Sequence, residues 1–371
     1  MVKLGHRVGL LTCSVEGLNS RYEYEGVKIV RHPIMDLNWL YRRGLKNLEG
    51  EVKDVFNSFI EELNPDVIHA HNMHYFSEVH AYTLERIARE RGVPVVLTAH
   101  NTWDDQLGLE LTTKVDWAHI IVVSYFIKKE IMGLGIDPLR VTVIHHGIDE
   151  ERFSTEVKPA NILKKYPQLS QRDIVFHPAR IGLAKGCDTS IKALNLLRER
   201  HPDVILVMAG SKNIIDWGLT QQKDIAYLVN LIKHFGLEKN ILIDSFTIDE
   251  MREIYVLSKV CIYPSSFNEP FGLTMLEAMA TARPMIVTNS GGMPEIIRDG
   301  INGFVIPVRD FEMLAVKIDI LLEDKRLRRH MGFEGKQMVE SQYNKERVTT
   351  GILSVYRKVL EKRSRDILKV A

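Results

Sequence analysis

The stretch NEPFGLTMLEAMA, residues 268–280, sets two carboxylates, Glu269 and Glu277, eight positions apart around a helix start. On one continuous helix that is roughly 2.2 turns, leaving the pair about 80° apart in rotation and about 12 Å apart along the axis. Two acids so far apart do not act on one bond, so a simple carboxylate dyad is a poor reading. Pro270 suits the edge of a helix. Leu273, Leu276 and Met279 then fall at helical spacing, so the helix starts near Phe271, with Glu269 before it and Glu277 inside it. The N–H groups of Phe271, Gly272 and Leu273 have no partner within such a helix. They make an anion site that Gly272 opens to close approach. The plainer reading is a helix N-terminus with an acid placed favourably against its dipole.

A second stretch, HPARIGLAKG, follows a strand pattern and puts Arg180 and Lys185 on a loop with Gly182 and Gly186. Two cations of these types suit a diphosphate, since Arg binds it bidentately and Lys supplies a point charge. In isolation the same spacing also describes two solvated surface cations. Gly291-Gly292 after a strand is either a phosphate turn or an ordinary strand-to-helix connection. His69, His71 and His74 in DVIHAHNMHYF have a spacing seen at metal sites. No further Cys or carboxylate ligand follows them, and a hydrogen-bonded structural histidine is the competing reading for each. His100, at the end of PVVLTAH, is placed to reach a ligand hydroxyl.

These residues need a scaffold that presents loops after strand ends. Short apolar runs alternate with longer amphipathic ones, the pattern of β-α units on a parallel sheet. The first half offers RVGLLT, VKIVRH, DVIHAH, PVVLTAH, HIIVVS and VTVIHHG. The second offers DIVFHPA, DVILVMAG, ILIDSF, VCIYPS, PMIVTN and GFVIPV. The polar, proline-containing stretch between Asp149 and Asp173 separates two such series. The expected organisation is an α/β chain of two Rossmann-like, doubly wound domains facing across a cleft. The N-terminal domain covers 1–152, a linker 153–172, the C-terminal domain 173–343, and a final helix 344–371 crosses back to the N-terminal domain. A doubly wound domain begins with its innermost strand, tight turn and helix. Only MVKLGHRVGLLT precedes the second strand pattern, so the first β-α unit is expected to be missing and Met1 to be an internal methionine.

The 371 residues hold 49 Lys+Arg against 48 Asp+Glu, a balance that gives no general attraction to nucleic acid. No apolar run reaches bilayer-crossing length, and the N-terminus does not read as a signal peptide. Three scattered cysteines, Cys13, Cys187 and Cys261, form neither a metal spacing nor a disulfide framework. The expected location is the cytoplasm.

Taken together, ARIGLAKGCDTSIKAL, PSSFNEPFGLTMLEAMATARPMIVTNSGGMPEII and DGINGFVIP resemble the retaining, GT-B type nucleotide-sugar glycosyltransferases. That large family includes glycogen synthases, sucrose synthases and mannosyltransferases. The resemblance implies a chain that moves a hexose from a nucleotide diphosphate sugar to a hydroxyl acceptor with retention, without a metal or other cofactor. It implies that Glu269 contacts the sugar hydroxyls and Glu277 the ribose hydroxyls. Arg180 and Lys185 would stabilise the diphosphate leaving group, helped by the helix start at Phe271, Gly272, Leu273 and Thr274. His100 would lie near the donor sugar. Front-face departure, with the leaving phosphate taking the acceptor's proton, needs no close carboxylate pair. Ala179 and His146 stand where the family commonly has glycine and asparagine.

Two other functions remain open on the sequence. One is a donor-binding protein without transfer activity, given the missing N-terminal unit. The other is a metal-dependent hydrolase at His69, His71 and His74. The acceptor is a glycan, a lipid or a small molecule. NWLYRRGLKNL, with Trp39, Arg42, Arg43 and Lys46, reads either as a helix touching a membrane surface or as a solvated helix face.

Overall fold

A computed structural model describes residues 1–43, 47–102, 105–210 and 218–370; the side chains of 218–221 and 365–370 fall outside that description. The chain divides into two compact units, Met1–Ile144 together with Thr349–Ala371, and His145–Val348. Each is an α/β unit built on parallel strands.

The first unit contains β1 (Val8–Thr12), β2 (Arg21–Tyr24), β3 (Val27–Arg31), β4 (Ile68–His71), β5 (Val95–Ala99), β6 (His119–Val122) and β7 (Val141–Val143). They form two sheets, ordered β1-β3-β2 and β4-β5-β6-β7. β2 pairs antiparallel with β3 through a two-residue turn at Glu25 and Gly26, both at positive φ (49° and 77°). Every residue of β5 and β6 is buried. Val355 and Val359 of the last helix, Lys345–Val370, pack against Val96 and Ile121.

The stretch that reads either as a membrane-touching or as a solvated helix forms helix Leu37–Arg43. Its Arg43 guanidinium lies 4.7 Å from the Trp39 ring centre and pairs with Glu51. Lys46 lies outside the described residues. Among the described residues, no helix is long and apolar enough to cross a membrane.

The second unit holds β8 (Asp173–His177), β9 (Val204–Gly210), β10 (Ile241–Ser245), β11 (Val260–Tyr263), β12 (Met285–Thr288) and β13 (Gly303–Ile306). All pair in parallel, in the order β10-β9-β8-β11-β12-β13. The order runs outward from β8 to one edge and restarts at β11 on the other side. The switch point of this doubly wound sheet therefore lies between β8 and β11. β9 reads VILVMAG and is buried over its first six residues, as a strand covered by helices on both faces must be. Helices Cys187–Leu197 and Phe311–Glu323 supply Ile191, Leu194, Leu314 and Ile318 to a core shared with Leu206 and Ile262. Each such fully buried aliphatic side chain contributes about 1.5–3 kcal/mol.

The stretch 153–172, expected from its polarity to be a connector, belongs to this second unit and is folded. Helix Ala160–Lys165 buries Ile162. The Asn161 side-chain amide and the Ile162 N–H each donate at 2.7 Å to the buried carboxylate of Glu253. A buried acid needs such donors, and it locks the segment onto helix Ile248–Leu257.

Candidate active site

Two loops at the switch point carry the candidate residues. The first leaves β8 after His177 and passes Arg180 and a short turn, Leu183–Lys185, before helix Cys187–Leu197. The Leu183 N–H donates to Asp224 at 2.9 Å, which fixes the turn. Gly186 sits at φ +77°, and a Cβ there would lie 1.8 Å from the Pro264 carbonyl oxygen. Only glycine lets this loop press so closely on the chain leaving β11.

The second loop runs from Pro264 to Gly272. Its Glu269 side chain is the meeting point of the site: Lys185 Nζ lies 2.7 Å from Oε2, and the Tyr263 hydroxyl donates to the same oxygen at 2.5 Å. Lys185 Nζ is also 5.6 Å from the Tyr263 ring centre. The Glu269 backbone carbonyl accepts from Gly292 N–H at 2.8 Å. Gly291, at φ +58°, passes so close that a Cβ would stand 2.2 Å from that carbonyl oxygen. Gly291-Gly292 therefore serves here as a backbone clamp on Glu269. Burial and the Glu269 charge together push the Tyr263 hydroxyl well above its ordinary pKa, so it remains a donor.

Helix Leu273–Ala280 follows, with Gly272 before it at φ +89°. The N–H groups of Phe271, Gly272 and Leu273 donate no hydrogen bond among the described residues. The Thr274 hydroxyl is buried and also has no partner there. Phe271 anchors the helix start: it is 2% exposed and packs against His145, His146 and Tyr343, with ring centres 5.8, 5.0 and 6.4 Å away. One turn into the helix, Glu277 accepts from the Tyr255 hydroxyl at 2.7 Å. Burial raises the Glu277 carboxyl pKa, while the Tyr255 hydrogen bond and Arg152 pull against that rise.

The structure thus brings Lys185, Glu269, Phe271, Gly272, Leu273, Thr274 and Glu277 onto the two loops and one helix of the switch point. Arg180 stands on the first loop, exposed; its backbone carbonyl accepts from the Cys187 thiol at 3.9 Å, and its guanidinium makes no hydrogen bond or ion pair among the described residues. The sequence reading did not foresee that Lys185 is ion-paired with Glu269. An ammonium has three donors, so it can still bind a further anion.

His100 belongs to the first unit and follows β5. Its Nε2 lies 2.9 Å from His71 Nδ1, and the rings stack with centres 5.2 Å apart. His69 stacks on His71 with ring centres 4.5 Å apart, but among the described residues these histidines do not converge as three ligands on one point. His69 has both ring nitrogens engaged, by Tyr356 at 2.7 Å and Thr98 at 2.6 Å, and burial lowers its pKa to about 3. His74 bonds the Asn101 carbonyl at 3.0 Å. Among the described residues, the one group placed to share an ion is elsewhere, at His201, Asp319 and Glu323.

Residues 160–338 match the family model described as Glycosyl transferases group 1, and residues 1–152 match Glycosyltransferase Family 4. The chain is a glycosyltransferase, with the group 1 match on its second unit. An uncharacterised glycosyltransferase of Methanocaldococcus jannaschii is 25% identical over 97% of this chain and 92% of its own length. The solved sucrose-phosphate synthase of Thermosynechococcus elongatus superposes with a TM-score of 0.81 at 18% identity, over 97% of this chain and 91% of its own. Anabaena HepE, solved with UDP-glucose, gives 0.70 at 19% identity over 86% and 82%. At these identities the structural likenesses establish the GT-B fold of this glycosyltransferase.

Sequence reasoning passed over several residues of the candidate site. Tyr263 and Tyr255 hold the two candidate carboxylates but read as apolar filling of a strand and a helix. The signal for Tyr263 was its place as the last residue of β11, where a strand hands over to a site loop. His177, the last residue of β8, is fully buried under the first loop with its Nδ1 2.9 Å from the Ser190 hydroxyl. Burial and the nearby Lys185 charge lower its pKa to about 3, so it is neutral.

Proposed function

We propose that this glycosyltransferase moves a hexose from a nucleotide diphosphate sugar to a hydroxyl acceptor, with retention at the anomeric carbon and without a metal. The observation that carries this is the Lys185–Glu269 pair, 2.7 Å apart beside the unbonded N–H groups of Phe271, Gly272 and Leu273. A nucleotide diphosphate sugar presents hydroxyls and a diphosphate in that order. Glu269 takes the sugar hydroxyls, and Lys185, Arg180 and the helix start take the diphosphate. Glu277, further along the helix, accepts from the ribose. Cations and oriented N–H groups stabilise charge growing on the leaving diphosphate, the task that a divalent ion performs in other transferases. HepE, with its bound UDP-glucose, supports the choice of first donor.

The test is incubation with UDP-glucose and a panel of other nucleotide sugars, with and without EDTA, following nucleotide diphosphate release. Anomeric coupling constants in the product report stereochemistry. Release that survives EDTA, with a retained anomer, is expected. An inverted product, or release that EDTA abolishes, contradicts the mechanism. Donor binding with no release on any acceptor would instead make the chain a donor-binding protein.

A further inference from the structure

At the end of the second sheet away from the site loops, three side chains turn toward one point: His201, Asp319 and Glu323. His201 lies in the link between helix Cys187–Leu197 and the start of β9. The link is fixed by its backbone. The His201 N–H donates to the Leu197 carbonyl at 2.8 Å, and the His201 carbonyl accepts from Val204 at 3.0 Å. Asp319 and Glu323 stand four residues apart in the last turns of helix Phe311–Glu323, so both carboxylates lie on one helix face. That helix packs directly on Cys187–Leu197, and the three side chains meet beside this junction.

His201 Nε2 is 2.7 Å from Asp319 Oδ1 and 3.8 Å from Glu323 Oε1, and the three ligand atoms all lie within 4.8 Å of one another. Both acids therefore approach the same ring nitrogen. One N–H serves Asp319, and Glu323 stands too far away to accept from it. A single proton thus leaves one converging carboxylate without a hydrogen bond to the imidazole, whereas a cation between the three atoms would satisfy all of them. Ligand atoms around a tetrahedral zinc ion stand roughly 3.3 Å apart, given bonds of about 2.0–2.2 Å. One of the two observed distances must open and the other close by roughly half an ångström, within reach of side-chain rotation. Asp319 Oδ2 is held by Arg200 at 2.7 Å. Metal-bound carboxylates are oriented by such outer hydrogen bonds, and this one leaves Oδ1 free to ligate.

We propose that His201, Asp319 and Glu323 form a structural site for one divalent transition-metal ion, zinc by preference, with water as the fourth ligand. The His201 side chain is 10% exposed and that of Glu323 56%, so the imidazole is preset and the second acid closes from solvent. The ion takes the Nε2 lone pair, the neutral ring keeps its one proton on Nδ1, and the two carboxylates balance the ion's charge. An imidazole with two carboxylates suits zinc, whereas magnesium prefers oxygen ligands alone. The bound ion ties the end of helix Phe311–Glu323 to the link before β9. It takes no part in sugar transfer, since the site loops leave the opposite ends of the strands.

The full chain is stripped with EDTA, dialysed, and titrated with zinc chloride or with magnesium chloride. Amide hydrogen exchange is followed in fragments covering residues 198–204 and 318–324. Exchange in both is expected to slow about tenfold or more with zinc and not with magnesium. Glu323→Gln, at an exposed position, and His201→Gln should each lose that slowing while their circular dichroism spectra stay unchanged. Cobalt in place of zinc should give the visible absorption of a four-coordinate ion, and Glu323→Gln should abolish it. Zinc that binds without slowing these two fragments, slowing that persists in both variants, an equal effect of magnesium, or no zinc binding overturns the proposal and leaves the three side chains a plain ion-pair cluster.

Discussion

Lys185 and Glu269 are partners before any ligand arrives, with side chains 21% and 15% exposed, and the Tyr263 hydroxyl shares the same carboxylate oxygen. Removing one member of such a half-buried pair leaves the other uncompensated. Lys185→Ala is therefore expected to lower kcat/KM by about 2–5 kcal/mol of transition-state stabilisation, measured by steady-state nucleotide release. Unchanged turnover would remove Lys185 from the site. Glu277 is held differently, by the Tyr255 hydroxyl alone among the described residues. Glu277→Ala should weaken donor binding by about 1.5–3 kcal/mol, the worth of a hydrogen bond to a charged group. Titration calorimetry with the nucleoside diphosphate reads that loss, and a wild-type affinity would exclude the ribose contact.

At the scale of elements, the site depends on two backbone approaches that no side chain can share. Gly186 and Gly291 both have positive φ, and in each a Cβ would overlap a carbonyl oxygen of the loop from Pro264 to Gly272. Gly186→Ala and Gly291→Ala should each cost about 1–3 kcal/mol in strain and shift Glu269 relative to Lys185. Gly133, at the end of helix Tyr125–Gly133, has nothing within 4 Å of its Cβ position. Gly133→Ala should leave the unfolding midpoint almost unchanged. Thermal unfolding of the three variants, side by side, separates a steric requirement from a general intolerance of alanine. Equal midpoints in all three would show that the loops adapt.

For the whole molecule, buried neutral histidines dominate the response to acid. His69 and His177 are held near pKa 3, and His74, His80 and His119 near 4, in every case chiefly by burial. Above about pH 6.5 each is neutral in both folded and unfolded chains. Below it, the unfolded chain takes up protons that the folded chain refuses. Stability then falls by up to about 1.4 kcal/mol per pH unit for each histidine until the folded pKa is reached. The urea midpoint should drop clearly between pH 7 and pH 5. Four of the five lie in the first unit, so its amides should lose exchange protection first; equal midpoints at both pH values would contradict this.

How much of this was legible in the sequence depends on what each residue had to signal. Both parallel series of strands were readable because their cores are continuous apolar runs, such as VILVMAG. β2 was not, because RYEY is polar and pairs at an edge, although the Glu25-Gly26 turn after it marked a hairpin. Lys185, Glu269 and Glu277 declared themselves through charge and spacing next to glycines. Tyr255 and Tyr263 did not, since a tyrosine in a buried element reads as packing until its hydroxyl is seen to face an acid. The ion pair between Lys185 and Glu269 was equally invisible, being a contact across 84 positions of chain.

That ion pair bears on selectivity under the proposed function. A ligand carrying phosphate alone meets the remaining donors of the ammonium and offers nothing to the carboxylate. A ligand carrying both phosphate and neighbouring hydroxyls repays both partners at once. Such a ligand is held at both ends of the pair, so the sugar hydroxyls and the diphosphate reinforce each other's binding there.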